Sequence, residues 1–379
     1  MSENAVAVSP RWIVSPHYDL FWFFGGALVT LLVLGLYFGA GVPIVVLWWT
    51  WLLAFDGPHI GAAFTRTYVD RQEWRSRRNV LLLSLLSFAV GPVFLLLNVV
   101  TGSQDPFLLF LGLATFYGYY HVVRQHYGFL SLYKARNRDF DKIDFHVDKW
   151  FLYIGSWAPY FYFLFTHPKA RALIRLPVDG PRGILEQTAI IAMIAAWLLI
   201  LLAFLVRLFT GFSARIRQPH VAYLLVTVLL YAAVYFFVAR FEPVYAQSQG
   251  PDQDFLLLSV LVVIFHNIQY LGLVWFHNRN RYGAAASESF GPAVAVNRSL
   301  GRYLLACHIF SGIVYFLFAA STGVFPNFQI LLNRRVGPFT ANQLGLCLWW
   351  GLAINHYYLD QKIWRISGDS ALKRNLGLA

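Results

Sequence analysis

Charge is the scarcest ingredient of this sequence. Only 13% of its 379 residues are Asp, Glu, Lys or Arg, about half the share found in a soluble globular domain. With 58% apolar residues in long runs, a water-soluble globule is excluded and a polytopic membrane protein is expected. Cysteine is nearly missing as well. Cys307 and Cys347 both sit in apolar stretches, which leaves no disulfide framework, no CxxC zinc motif and no CxxCH for covalent haem attachment. Glutamate is limited to Glu3, Glu73, Glu186, Glu242 and Glu288, none beside a histidine within an apolar run. Zinc hydrolysis of the HExxH kind, which needs that glutamate as base, is therefore not expected. The opening MSENAVAVSPRW has no basic region leading to a small-residue cleavage site, so no cleavable signal peptide is read there.

Ten apolar segments of spanning length are present, at about 19–39, 43–66, 79–100, 107–133, 150–166, 184–208, 220–238, 255–277, 302–321 and 340–358. The fold expected is all-α, a transmembrane bundle of ten spans over one membrane domain, 1–379, without internal repeats. Ten spans put both termini on one side. That side collects RTYVDRQEWRSRRN, KARNRDFDK, RLFTGFSARIRQ, NRNRYG and the tail DQKIWRISGDSALKRN, all rich in Arg or Lys. The other side has GAGVP, TGSQDP and the acidic RFEPVYAQSQGPDQD, although the basic THPKARALIRLPVDGPRG and LLNRRVGPF also fall there. The positive-inside rule places the basic side, and both termini, in the cytoplasm of an inner-membrane protein. The net charge of +12 belongs to this topology signal, so nucleic acid is not an expected partner.

The eleven histidines are distributed unevenly. His17, His59, His121, His126, His266, His277, His308 and His356 lie in or next to the cytoplasmic ends of spans, His220 opens the seventh, and only His146 and His167 lie elsewhere. Counted from the nearest inner basic residue at about 1.5 Å per helical residue, His59, His126, His308 and His356 sit about 10 Å deep, and His121 and His266 about 20 Å. Ionisable groups in a membrane tend to face a bundle interior. Imidazoles brought by several helices to a similar zone are what a bundle-embedded metal site requires.

Spacing sorts the candidates. Asp56 and His59 share a face with Arg66 in DGPHIGAAFTR, and His266 and Tyr270 share one in HNIQY. In NHYYLD, Asp360 lies four residues after His356, so the carboxylate can orient the imidazole. His121 and Gln125 share a face, but His126 lies about 140° further round an ideal helix. Bringing His121 and His126 into one site requires a local π-bulge, expected near Tyr119–Gly128. The expected ligands are thus His59, His121, His126, His266 and His356. Asp56 and Asp360 are expected to bind or orient, Gln125 and Tyr270 to shape the site, and Arg66 and Arg124 to balance charge or hold an anionic head. Arg124 is expected to pair with Asp56 or Asp360, or to reach a lipid phosphate. His308, with no polar neighbour on its face, and the interfacial His17 and His277 are read as structural.

Several histidines near the cytoplasmic face make the sequence resemble the membrane fatty-acid desaturases and hydroxylases, although their HxxxH and HxxHH boxes are absent. The segment GPHIGAAF is similar to the Pro-His-Gly segment of the Brp/Blh-type carotene dioxygenases, with Ile60 here separating His59 from Gly61. The patterns DGPHxxxxxxRTYxD, HxxRQHYGxxxLY and NHYYLDxxIW also resemble uncharacterised bacterial membrane proteins. The first two resemblances imply iron held by histidines and an oxygenase or related oxidoreductase; with the histidines at the cytoplasmic ends of apolar spans, a hydrophobic or lipid substrate is expected to enter from the membrane lipids, and electrons, if needed, to come from a cytoplasmic donor. A nitrogen-rich, thiol-poor site suits iron, copper or zinc. Two other classes stay open: haem b held by two histidines, and a transporter or proton relay.

Overall fold

The structure is a computed structural model that describes residues 11–139, 141–245, 256–283, 289–319 and 335–378. Glu3, Glu288 and most of the acidic loop 246–254 lie outside the described residues. Every one of the ten apolar segments is helical: α1 Pro16–Phe38, α2 at 44–66, α3 Arg78–Thr101, α4 Asp105–Asn137 and α5 Lys142–Thr166. There follow α6 Ile184–Phe209, α7 Pro219–Arg240, α8 Leu256–Tyr282, α9 Leu300–Ala319 and α10 Ala341–Ile363. The strands among the described residues are two short antiparallel ones, Arg335–Val336 and Phe339–Thr340.

Six of the ten helices, α1, α3, α4, α6, α7 and α8, are long and apolar enough to cross a membrane. The other four, α2, α5, α9 and α10, are shorter or are diluted by polar residues such as Asp56, Asn355 and Asp360. Outward-facing Leu28, Val100, Leu185 and Leu199 are 66–85% exposed, a surface suited to lipid rather than water. The most apolar window of α6 is only 6% buried, whereas that of α8 is 89% buried. That central position is why α8 carries His266, Asn267, Gln269, His277 and Asn278, all buried.

The chain divides into two compact units, residues 1–27 with 123–249, and residues 28–122 with 250–377. The first unit packs α5 against α6 and α7. Phe151 stacks on Phe204 at 4.0 Å, and Leu130, Leu152, Leu224 and Val228 complete the core. Gly155 permits this approach, since a Cβ there would meet Val228 at 2.6 Å. Asp19 ties the N-terminal segment down by accepting from the backbone N–H groups of Ile13 and Val14 and from the Tyr133 hydroxyl.

The second unit is held by close helix contacts at small residues. Gly57 and Gly61 of α2 face Ser311, Tyr315 and the Cys307 backbone of α9; Gly91 of α3 faces Cys347 of α10. A capping box, Thr340 with Gln343, starts α10. The π-turn in this unit is not where sequence spacing places it. Helix α4 is regular α-helix through Tyr119–Gly128, and the turn occurs instead at Leu52–Asp56 of α2. The cause is Pro58, which has no N–H to donate and crowds the preceding turn. Gly57 N–H reaches back to Leu52 O. Leu53 O, whose partner in this wider register would be residue 58, takes the Ser311 hydroxyl at 2.9 Å instead.

Gly57→Val is expected to cost about 1–3 kcal/mol of stability by overpacking, read as a fall in thermal midpoint. Gly35→Ala, with nothing within 4 Å of the added Cβ, should be neutral or slightly stabilising. A pH dependence follows from Asp369 in the C-terminal tail. Burial works to raise its pKa, but the Leu372 N–H bond and the Arg77 charge outweigh it and leave it lowered. A lowered carboxylate contributes stability above its unfolded pKa and loses it as pH falls through the folded value. Hydrogen exchange should therefore show Asp369→Asn opening Ser370–Asn375 at neutral pH, with the difference from wild type vanishing in acid.

Candidate metal centre

Four helices of the second unit each present one histidine to a common point: His59 from α2, His121 from α4, His266 from α8 and His356 from α10. One ring nitrogen from each lies within 4.8 Å of all the others. His59 Nε2 and His266 Nε2 are 3.1 Å apart. The ring centroids are 4.3 Å apart for His59 and His356, and 5.0 Å for His121 with either His266 or His356. All four residues are at most 5% exposed.

Each helix is fixed by a specific contact. Trp51 Nε1 donates to Asn267 Oδ1 at 2.9 Å, joining α2 to α8. Gly118 of α4 leaves room for the Tyr357 hydroxyl of α10, and the Tyr357 ring stacks on His121 at 4.3 Å. Phe107, Phe110 and Ala114 of α4 share a core with Cys347, Trp350 and Ala353 of α10.

The nitrogen inventory fits a cation. His121 Nε2 and both ring nitrogens of His356 are buried without a hydrogen-bond partner. Leaving such groups unpaired costs about 1–3 kcal/mol each. A bound ion satisfies several of them together. The 3.1 Å separation of His59 Nε2 and His266 Nε2 matches adjacent ligands on a metal whose bonds to nitrogen are about 2.0–2.1 Å. The group can thus hold a metal ion.

Asp360 stands beside the four rings. Its Oδ1 accepts from the Tyr270 hydroxyl at 2.5 Å. Its Oδ2 faces His356 Nε2 at 3.5 Å and His121 Nε2 at 3.8 Å. The i, i+4 spacing of His356 and Asp360 is realised, and the same carboxylate also reaches a second histidine. Tyr270 packs edge-on against His59 and His356. Arg66 is 3% exposed, donates to Ile363 O at 2.8 Å and lies 3.7 Å from the Trp364 ring. It approaches the site through Trp364 and Tyr270 rather than by touching the imidazoles.

Three expectations are corrected. His126 does not join the four histidines: it belongs to the first unit, where Nδ1 and Nε2 are bonded to the Tyr223 and Tyr231 hydroxyls at 2.6 and 2.7 Å. Without a π-bulge in α4, its ring turns away from the face of His121. Arg124 pairs with neither Asp56 nor Asp360 but donates to the Tyr153 hydroxyl at 3.0 Å and lies over the Tyr127 ring. Gln125 is half-buried on α4, four residues after His121. The Asp56 carboxylate acts as a brace between helices. It accepts from Tyr315, which itself accepts from Trp349 Nε1, and its other oxygen faces Asn267. Of the residues read as structural, His308 is exposed with Nδ1 on Leu304 O, and His277 bonds Asn278 and Asn375. Tyr315, Tyr357 and Trp364 were not legible as site residues. Each is one aromatic among 68 Phe, Trp and Tyr, and only the packing singles it out.

Replacing His59, His121, His266 or His356 by Ala should remove bound metal from the purified protein, measured by elemental analysis. His126→Phe should retain the metal. It should instead lower the thermal midpoint, because two buried tyrosine hydroxyls lose their partner at about 1–3 kcal/mol.

No protein-family model matches the chain, and neither curated proteins nor solved structures yield a match. The four-histidine geometry therefore carries the functional reading.

Proposed function

We propose that this chain is a ten-span inner-membrane metalloenzyme. It uses nonhaem iron, as an oxygenase or related oxidoreductase, on a lipid-like substrate near the cytoplasmic leaflet. The observation that carries this reading is the buried set of four imidazoles with Asp360 beside it. A ligand set of several neutral nitrogens and one carboxylate, without thiolate, is suited to iron. The close approach of His59 and His121 to each other and to both His266 and His356, with centroids 4.3–6.4 Å apart, supports nonhaem metal, because it leaves no slot for a porphyrin between those rings. Iron bound there would supply dioxygen chemistry.

The chain's own residues have separate tasks in this reading. The four histidines bind the ion and, as neutral ligands, leave its charge to be offset by others. Asp360 offsets part of that charge, and Tyr270 holds its Oδ1 so that Oδ2 stays turned to the rings. Asp56, Tyr315, Asn267 and Trp51 hold α2 and α8 in register so that His59 and His266 stay adjacent. The apolar surroundings exclude water and admit a hydrophobic substrate from the side. Arg66, a buried guanidinium close to Tyr270 and Trp364, is placed to receive an anionic substrate head. Electrons come from a cytoplasmic donor at the basic end of the bundle.

The test is metal analysis and a visible spectrum of the protein purified with its native metal, followed by oxygen uptake with membrane lipid extract, with and without an added chemical reductant in place of the donor. Expected are iron without a Soret band and lipid-dependent oxygen uptake that falls at least about tenfold in Asp360→Asn, the scale set by losing one charge-assisted contact. A Soret band, zinc alone, or full activity after complete chelation would sink the reading.

A further inference from the structure

A second concentration of charge lies in the first unit. It surrounds a cavity of about 260 Å³ lined by the end of α6, the connection from α6 to α7, the first turns of α5 and α7, and Asp139 just after α4. On one wall, Arg207 and Arg215 both donate to the Asp144 carboxylate, Arg215 at 2.9 Å, so two guanidinium groups share one anion. Asp141 is 3.8 Å from Arg207 but 55% exposed, and a carboxylate so placed is screened by water. On another wall, Asp139 and Asp148 share one ammonium, that of Lys134, at 2.8 and 2.6 Å. One wall therefore has cation in excess and the other anion.

Two further groups in the wall have unmet hydrogen-bonding capacity. His220 is 4% exposed, and its Nδ1 has no partner; Gln218 Oε1 is also unpartnered. Asp139, Asp148 and His220 have the spacing of a metal site. Lys134, 2% exposed and bonded to both carboxylates, offsets one of their two charges, which leaves a charge for one further monovalent cation, whereas a divalent metal ion would overfill the site. The cavity is smaller than the roughly 300–1,000 Å³ of sites that enclose drug-sized ligands, so it takes a small group or a headgroup. Phe204, Leu208 and Val221 form its apolar wall. Above them on α6, Leu198, Leu199 and Leu202 are 54–66% exposed, a surface for acyl chains.

We propose that this cavity binds a phosphate ester that carries a primary ammonium, the chemistry of ethanolamine phosphate. The phosphate oxygens accept from Arg207 and Arg215, forked donors suited to phosphate. The ammonium donates to Asp139 and Asp148, whose carboxylates His220 Nε2 flanks at 3.8 and 3.5 Å. A phospholipid supplies this group with its chains attached, and a soluble ester supplies it alone.

The experiment uses the full chain, stripped of lipid in detergent. It is reloaded with phosphatidylethanolamine, phosphatidylcholine, phosphatidylglycerol or soluble phosphoethanolamine, and read by native mass spectrometry and thermal unfolding. Phosphatidylethanolamine should be retained about tenfold or more over the other two lipids, the fold-change of one charge-assisted hydrogen bond. Phosphatidylcholine has no N–H to donate, and phosphatidylglycerol has no cation. Arg207→Gln with Arg215→Gln should abolish that retention, and Asp148→Asn should erase the preference over phosphatidylglycerol. Stabilisation by soluble phosphoethanolamine equal to that by lipid identifies the free ester, and a requirement for chains identifies the phospholipid. Should the double variant not fold, Arg215→Lys and Asp139→Asn carry the same test. Equal retention of all three lipids, or a preference that survives every folded variant, overturns the proposal.

Discussion

Burying imidazole is the constraint on which the second unit depends. A ring nitrogen taken out of water must find a partner or a metal ion, and the four rings of His59, His121, His266 and His356 are buried against one another. Their helices cannot drift without breaking the convergence. The packing around them is accordingly tight: glycine faces at Gly57, Gly61, Gly91 and Gly118 let backbones or large rings approach, and α8 sits almost wholly inside. The π-turn before His59 belongs to the same arrangement. Pro58 frees a carbonyl, Ser311 satisfies it from α9, and the result seats Asp56 and His59 on a helix that a regular register would rotate.

The two aspartates near the site divide the labour that their sequence contexts leave undistinguished. Asp56 is consumed by a chain of indole, phenol and amide donors running through α2, α8, α9 and α10. Its task is mechanical. Asp360 keeps one oxygen turned to two imidazoles while Tyr270 holds the other. Burial in low dielectric makes both arrangements consequential, since a carboxylate without such donors would be costly there.

Much of this was open to reading along the chain. The ten apolar segments become ten helices because periodicity and hydropathy are local properties. Four of the five expected histidine ligands converge, and the His356–Asp360 spacing works because i and i+4 are neighbours on any helix. Depth was read less well. Counting to the nearest basic residue put His59 and His356 about 10 Å above His121 and His266, yet the four meet at one level. Basic residues mark a boundary only loosely: α4 and α8 continue as helix to Asn137 and Tyr282, well past the apolar runs. The choice of His126 failed because a bulge was needed to turn it, and nothing in YGYYHVVRQHYG forces one.

The sequence by itself determined an all-α chain rich in lipid-compatible surface, the histidines available for a site, the scarcity of thiols and the lack of a glutamate beside a histidine in any apolar run. These follow from composition and from the fixed 3.6-residue period of a helix. Tertiary structure decided which histidines share a centre and which are absorbed by tyrosines, that Asp56 braces while Asp360 faces the rings, and that Arg207 and Arg215 open onto a cavity with Asp139 and Asp148. Those outcomes turn on how helices distant in sequence pack and rotate against one another. That is set by the sum of many small contacts, glycine against serine and ring against ring, which no local pattern encodes.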